Sequence, residues 1–197
     1  MIEYYEKSPL GYQITEYDCA TITFLNALRY LYNRDEISPG VIKYIMQESL
    51  DGKGYNGEIG RGGTTVTATV RIAEWLKENA KSEGMNIKVT ILKGDDYSID
   101  NQYLKNAISL GGTAILRIYQ EYEHYGLLTK LDNEFAYIFD PYYLDIKEYD
   151  NDESVEIIKD KPFEYNRKVS LKRIREDSDK DFCLVKKDNS IIIVLEK

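Results

Sequence analysis

The 197-residue chain has one histidine, two cysteines and four prolines, and these small numbers exclude whole classes of protein. Cys19 and Cys183 are too few for a disulfide scaffold, and with a single histidine they are too few for an all-protein zinc site. We therefore expect two free thiols, no metal and no cofactor.

Long hydrophobic runs and basic clusters are also missing. No stretch approaches the ~18 consecutive apolar residues of a membrane-spanning helix, and residues 1–7 lack a basic segment followed by an apolar one. Lys and Arg number 26 against 34 Asp and Glu, a formal net charge of −8. We interpret the chain as cytoplasmic, with neither a membrane nor a nucleic acid as partner. The sequence does not specify an oligomeric state.

What the sequence has is enough apolar surface for a core. Hydrophobic residues make up 43% of the chain, and 18 tyrosines add apolar area. At about 150 residues per domain, residues 1–197 are predicted to form a single domain. Helical patterns occupy residues 1 to about 83 and strand patterns follow from about 84 to 197, which predicts the α+β class with an antiparallel sheet.

Three helices are predicted in the first part. Apolar residues at three- and four-residue spacing predict a helix that begins close to Cys19. Ser38-Pro39 predicts the start of a second helix, and Thr64 or Thr65 caps a third. Between the second and third helices, residues 51–63 contain six glycines and predict an exposed loop that could cover a cleft.

Strand patterns with a period of two begin at residue 86. A short helix capped by Asp100 is followed by predicted strands at residues 113–119, 124–131 and 134–139. Asp132-Asn133 predicts a two-residue hairpin turn, which places His124 opposite Pro141 and therefore beside Asp140. Residues 145–179 are polar and less regular, and residues 182–186 and 191–195 predict a terminal hairpin that turns at residues 188–189.

Four residues could carry thiol chemistry. A helix start favours an anion, so it can lower the pKa of the Cys19 thiol. A thiolate nucleophile also needs a general base and acid, and the chain offers one imidazole, His124, which Asp140 could orient. The side-chain amide of Gln13, six positions before the cysteine, could join the backbone N–H of Cys19 in binding an oxyanion.

Three short segments carry a resemblance to a known family. They are QITEYDCA at residues 13–20, HYGLL at residues 124–128 and IFDPY at residues 138–142. In their order they resemble the papain-like cysteine peptidases related to the bacteriocin-processing, double-glycine leader peptidases. The resemblance covers roughly residues 8–145 and does not extend to the last quarter of the chain.

The resemblance implies a papain-like fold and a role for each of the four residues. Cys19 is then the nucleophile, His124 the base and acid, Asp140 the orienting group and Gln13 the oxyanion donor. Many relatives have glycine where this chain has Ala20. The resemblance implies a stand-alone member without a fused transporter, so the double-glycine preference is not carried over.

The sequence therefore predicts a cysteine peptidase that cleaves peptide or isopeptide bonds of a peptide or protein substrate through an acyl-enzyme on Cys19. Three alternatives stay open: deamidation or acyl transfer by the same triad, a catalytically silent papain-like binding module, and an immunity-type partner protein. Glu121 and Glu123, close to the histidine, suggest a preference for cationic substrates. Cys183 is interpreted as a buried structural thiol.

Overall fold

The structure is a computed structural model that describes residues 6–145, 147–186 and 190–197. The described residues form five α-helices, seven strands and a short 3-10 turn. The helices are α1 (Cys19–Leu31), α2 (Pro39–Glu48), α3 (Val66–Asn79), α4 (Gln102–Ser109) and α5 (Leu171–Arg175). The strands are β1 (Lys88–Lys93), β2 (Thr113–Gln120), β3 (Tyr122–Leu131), β4 (Phe135–Phe139), β5 (Val155–Ile157), β6 (Arg167–Ser170) and β7 (Ile191–Glu196).

The first three helices begin where their local signals predict. Ser38 caps α2 by accepting a hydrogen bond from the N–H of Gly40, and Thr65 caps α3 by accepting one from the N–H of Ala68. α1 begins differently, because the carboxylate of Asp18 does not cap the helix. It accepts bonds from the N–H groups of Ile14 and Thr15 instead, which folds the preceding loop back onto the helix start.

The seven strands form one antiparallel sheet in the order β1-β7-β2-β3-β4-β6-β5. Both faces of the sheet are covered. Helices α1, α2 and α3 contribute to the hydrophobic cluster on one face, while α4 and α5 contribute to the cluster on the other. The α+β class with an antiparallel sheet is therefore confirmed. Among the residues that the structure describes, no helix has both the length and the apolarity needed to cross a membrane.

The predicted hairpin between β3 and β4 has a different register from the expected one. Leu127 lies opposite Phe139, and beyond a bulge Leu131 lies opposite Ala136 instead of residue 134. The reason is the turn, in which the carboxylate of Asp132 accepts the N–H groups of both residue 134 and Phe135 and so lengthens the loop. The predicted pairing of His124 with Pro141 is wrong, and the ladder ends at Phe139.

The prediction of a terminal hairpin is also wrong. Residues 182–186 form no strand, although Leu184 makes an isolated bridge with Ile118. β7 inserts between β1 and β2, where Ile191, Ile193 and Leu195 enter one core cluster and Ile192 and Val194 enter the other. A strand with two apolar faces is buried on both sides, which a hairpin at the edge of a sheet cannot provide.

Three smaller predictions also need correction or fall outside the structure. Asn101, not Asp100, caps α4, because its side chain accepts the N–H groups of residues 103 and 104. The polar region at residues 145–179 contains β5, β6 and α5. The predicted turn at Asp188-Asn189 and residues 1–5 lie outside the described residues.

Candidate active site

Cys19 is the first residue of α1 and is half-buried. The helix is held against β3 by two long-range hydrogen bonds. The hydroxyl of Thr23 donates to the carbonyl of Tyr125 at 3.0 Å, and the hydroxyl of Tyr30 donates to the carbonyl of Thr129 at 3.0 Å. Since Tyr125 follows His124 in the chain, the first of these bonds brings the start of α1 to the histidine.

The His124 imidazole connects the thiol to a carboxylate. Nε2 of His124 lies 2.8 Å from Oδ1 of Asp140, and both side chains are buried. The imidazole also interacts electrostatically with the thiol of Cys19. Because Nε2 faces the carboxylate, Nδ1 is the nitrogen left to face the thiol. The structure thus brings together three of the four predicted residues in the order thiol, imidazole and carboxylate.

These contacts shift all three pKa values towards the charged forms. Burial by itself raises the pKa of the Cys19 thiol, but the charge and hydrogen bond of His124 outweigh it, so the thiol pKa lies below its ordinary value. Burial likewise disfavours the His124 imidazolium, but the charges of Cys19 and then of Asp140 raise its pKa well above the usual range. The favoured state of the pair is thiolate and imidazolium.

Asp140 is completely buried and is clamped by two residues from the segment beyond β4. The amide of Asn166 accepts the backbone N–H of Asp140 at 2.7 Å and donates to the backbone carbonyl of Asp140 at 2.7 Å. Nη2 of Arg167 lies 3.3 Å from Oδ2 of the carboxylate. Sequence reasoning missed both residues, because they follow a polar stretch in which no local pattern points to Asp140.

The fourth predicted residue, Gln13, lies beside the site, but its amide makes a local contact. Its backbone N–H donates to the carbonyl of Pro141 at 2.9 Å, which ties the loop before α1 to the residue after Asp140. Its side-chain Nε2 donates to the carbonyl of Thr15 at 2.7 Å. An amide nitrogen carries two hydrogens, so one N–H of Gln13 remains for another acceptor.

A cleft of about 580 Å³ opens beside Cys19. One wall is the end of the glycine-rich loop at Gly62 and Gly63, and the other comes from β2 and β3. The wall formed by the glycine-rich loop is tightly packed, since a Cβ added to Gly62 would lie 2.4 Å from the carbonyl oxygen of Lys53. Its volume lies within the roughly 300–1,000 Å³ of typical ligand-binding clefts.

The two glutamates that suggest a cationic substrate differ in the structure. Both line the cleft. Glu123 forms an ion pair with Arg117, so its charge is compensated. Glu121 is exposed, and a third acidic residue, Asp179, also lines the cleft. The cleft therefore has an excess of negative charge, carried by Glu121 and Asp179.

Cys183 is remote from this chemistry. It is fully buried, and its Sγ lies 3.3 Å from the hydroxyl of Ser178. Among the described residues, no group of three or more His, Cys, Asp or Glu side chains is placed to hold a metal ion. In comparisons with known proteins, no protein family matches the chain and no curated protein matches it.

Proposed function

We propose that the protein is a papain-like thiol hydrolase that cleaves peptide or isopeptide amide bonds through an acyl-enzyme on Cys19. The observation that carries the proposal is the line from Cys19 through His124 to Asp140, with 2.8 Å between Nε2 and Oδ1. The arrangement of a cysteine at a helix start against a histidine on an antiparallel sheet supports the papain-like part of the proposal.

In the first half of the reaction, the Cys19 thiolate attacks the carbonyl carbon of the substrate amide. Negative charge develops on the carbonyl oxygen, and the backbone N–H at the start of α1 is the proposed first donor to it. The free N–H of Gln13 is the proposed second donor. The imidazolium of His124 then gives its proton to the leaving nitrogen as the C–N bond breaks, which leaves a thioester.

In the second half, water attacks the thioester carbonyl. Neutral His124 takes a proton from the water, and the C–S bond breaks to release a carboxylic acid and the Cys19 thiolate. Asp140 accepts the N–H at Nε2 throughout, so the ring keeps one orientation in both halves. The imidazolium and thiolate are regenerated, and the atoms of one water molecule are consumed in each cycle.

The first test is the rate of Cys19 alkylation by iodoacetamide as a function of pH, followed by intact-mass spectrometry and peptide mapping. We expect labelling of Cys19 well below the ordinary thiol pKa of about 8.5, because the thiol pKa is lowered, and loss of this labelling in His124→Ala. Cys183 is an internal control that should label only when the protein unfolds. Slow labelling of Cys19 with an ordinary pKa, unaffected by His124→Ala, overturns the proposal.

The reaction type is tested with a library of peptides prepared from a digested proteome and read by mass spectrometry. Hydrolysis gives new termini, deamidation adds about one mass unit, and acyl transfer joins two peptides. New termini that disappear in Cys19→Ala but persist in Cys183→Ala support a peptidase. If iodoacetamide labels Cys19 at low pH but no peptide of the library changes, the catalytically silent binding module is favoured.

A further inference from the structure

Among the residues that the structure describes, Arg167 is the largest of the fully buried side chains, and it takes no part in the proposed reaction steps. A buried guanidinium is costly unless its charge is compensated. Its Nη2 donates to the carbonyl of Tyr142 at 2.8 Å and lies 3.3 Å from Oδ2 of Asp140, while Nη1 donates to the carbonyl of Asn166 at 3.0 Å. The side chain therefore reaches across from β6 to the residues that follow β4.

The Asp140 carboxylate is divided between two cations. Oδ1 accepts the backbone N–H of Tyr142 at 2.8 Å and faces Nε2 of His124 at 2.8 Å, while Oδ2 faces Arg167. The four groups form a row in which charges alternate: thiolate, imidazolium, carboxylate and guanidinium. In this state the row has no net charge, which suits a buried site.

The row loses one cation during the proposed reaction, when His124 gives its proton to the leaving nitrogen. The buried carboxylate then keeps only Arg167 as a counter-charge, because a guanidinium stays protonated at every working pH. Without that charge, a buried carboxyl group next to a neutral imidazole would tend to take up a proton. A protonated Asp140 could no longer support His124 as the base for the attacking water.

We propose that Arg167 is a positioning residue that keeps Asp140 ionised and turned towards His124 in both halves of the reaction. The catalytic role of Arg167 rests on the proposed function. The interaction among His124, Asp140 and Arg167 does not depend on that function and can be measured by itself. The other titratable side chains that interact electrostatically with this group are Cys19 from α1, Tyr142 three residues beyond β4 and Tyr149 from the turn at residues 147–150.

The test is the titration of the His124 ring by ¹⁵N nuclear magnetic resonance in the Cys19→Ala background. The chain has one histidine, so the signal is unambiguous. Arg167→Gln removes the cation that keeps Asp140 ionised, and the charge and hydrogen bond of Asp140 raise the His124 pKa, so we expect the His124 titration midpoint to fall by about one pH unit. A rise, which the loss of a nearby cation alone would produce, overturns the inference. Arg167→Lys keeps the charge and should keep the midpoint.

The matched control is Arg173→Gln. Arg173 is also buried and paired, with Nη2 at 2.8 Å from Asp152, but it lies on α5 and does not contact Asp140. Its loss should destabilise the fold without moving the His124 midpoint. A folded Arg167→Gln variant whose His124 titrates at the same pH as Arg173→Gln overturns the inference.

A second measurement covers the case in which Arg167→Gln does not fold. Nε of Arg167 and Nε of Arg173 are both buried and have no hydrogen-bond partner, so the N–H resonance of each should report its local field. In Cys19→Ala with all other residues unchanged, the Arg167 resonance should shift with the His124 titration and the Arg173 resonance should not. If the chemical shift of the Arg167 N–H does not change as His124 titrates, the inference is overturned. Ordinary Cys19 reactivity in the wild type, by contrast, overturns only the proposed function.

Discussion

The thiol end and the carboxylate end of the candidate site are built in different ways. Cys19 is half-buried, begins a helix and borders a cleft whose walls come from the glycine-rich loop and the middle of the sheet. Asp140 is fully buried, and two of the residues that hold it, Asn166 and Arg167, lie 26 and 27 positions further along the chain.

The difference corresponds to what each end has to do. A nucleophile must meet a substrate that arrives from solvent, so it has to be accessible. An orienting carboxylate must keep one charge and one direction, which is easier in a site that excludes water, places a counter-charge beside its other oxygen and satisfies its backbone. We therefore expect substitutions at the carboxylate end to affect stability strongly, and substitutions at the thiol end to affect reactivity.

The largest expected difference is between Asp140→Ala and Cys19→Ala. Removing Asp140 leaves the buried guanidinium of Arg167 without its carboxylate, which typically costs about 3–5 kcal/mol. Replacing the half-buried Cys19 should change the free energy of unfolding by less than about 1 kcal/mol. Urea unfolding of both variants measures the difference. Similar losses in the two variants would mean that the two ends do not differ in this way.

Asn166→Ala should have the next largest effect. It removes the partners of the backbone N–H and the backbone carbonyl of Asp140, and each unsatisfied buried group costs about 1–3 kcal/mol. We expect a loss of about 2–4 kcal/mol in urea unfolding. The control is Asn106→Ala on the exposed face of α4, which should stay within about 0.5 kcal/mol of the wild type. Equal losses in the free energy of unfolding for the two variants would contradict the role of Asn166 in holding Asp140.

At the thiol end, Gly62→Ala should disturb the cleft. Its new Cβ would lie 2.4 Å from the carbonyl oxygen of Lys53, so the loop must move, at a cost of about 1–3 kcal/mol. Gly57→Ala in the same loop places a Cβ in open space and strains only a backbone with φ of +86°. Peptide turnover should fall in Gly62→Ala and not in Gly57→Ala. Unchanged peptide turnover in both variants would show that the glycine-rich loop does not contribute to substrate binding.

The smallest expected effect is that of Glu121→Gln on substrate choice. Glu121 is an exposed acidic residue of the cleft, so its charge should favour a cationic residue in the substrate only weakly, by roughly two- to fivefold. The measurement is the ratio of kcat/KM for two peptides that differ by Lys against Gln at one position. Glu74→Gln, on the exposed side of α3, is the control. If the ratio of kcat/KM is the same in Glu121→Gln and Glu74→Gln, Glu121 does not favour cationic substrates.

Much of the thiol end could be predicted, because its signals are local. Ser38 and Thr65 cap the helices that they are expected to cap, and the helix that begins at Cys19 follows from apolar spacing. The contact between His124 and Asp140 was also expected, although the predicted register was wrong. The side chains of His124 and Asp140 are in contact although the predicted register is wrong. Asp140 lies just beyond the last paired residue of β4, so the direction of its side chain does not depend on the pairing of β3 with β4.

The segment after residue 145 could not be predicted in the same way. β5 and β6 have only three and four residues, too few for a clear alternation, and α5 has five. β7 has a strong apolar run, but a run of this kind does not say which strands will lie on either side of it. Its place between β1 and β2 is decided by the two core clusters that it fills.

The sequence by itself determined the helix starts, the α+β order and the set of thiol, imidazole and carboxylate groups, because capping and periodicity act over a few neighbouring residues. Only the tertiary structure decided how the carboxylate is held. Asn166 and Arg167 reach Asp140 because β6 pairs with β4 in the sheet. No local pattern encodes that pairing, since it depends on the burial of both faces of a seven-stranded sheet.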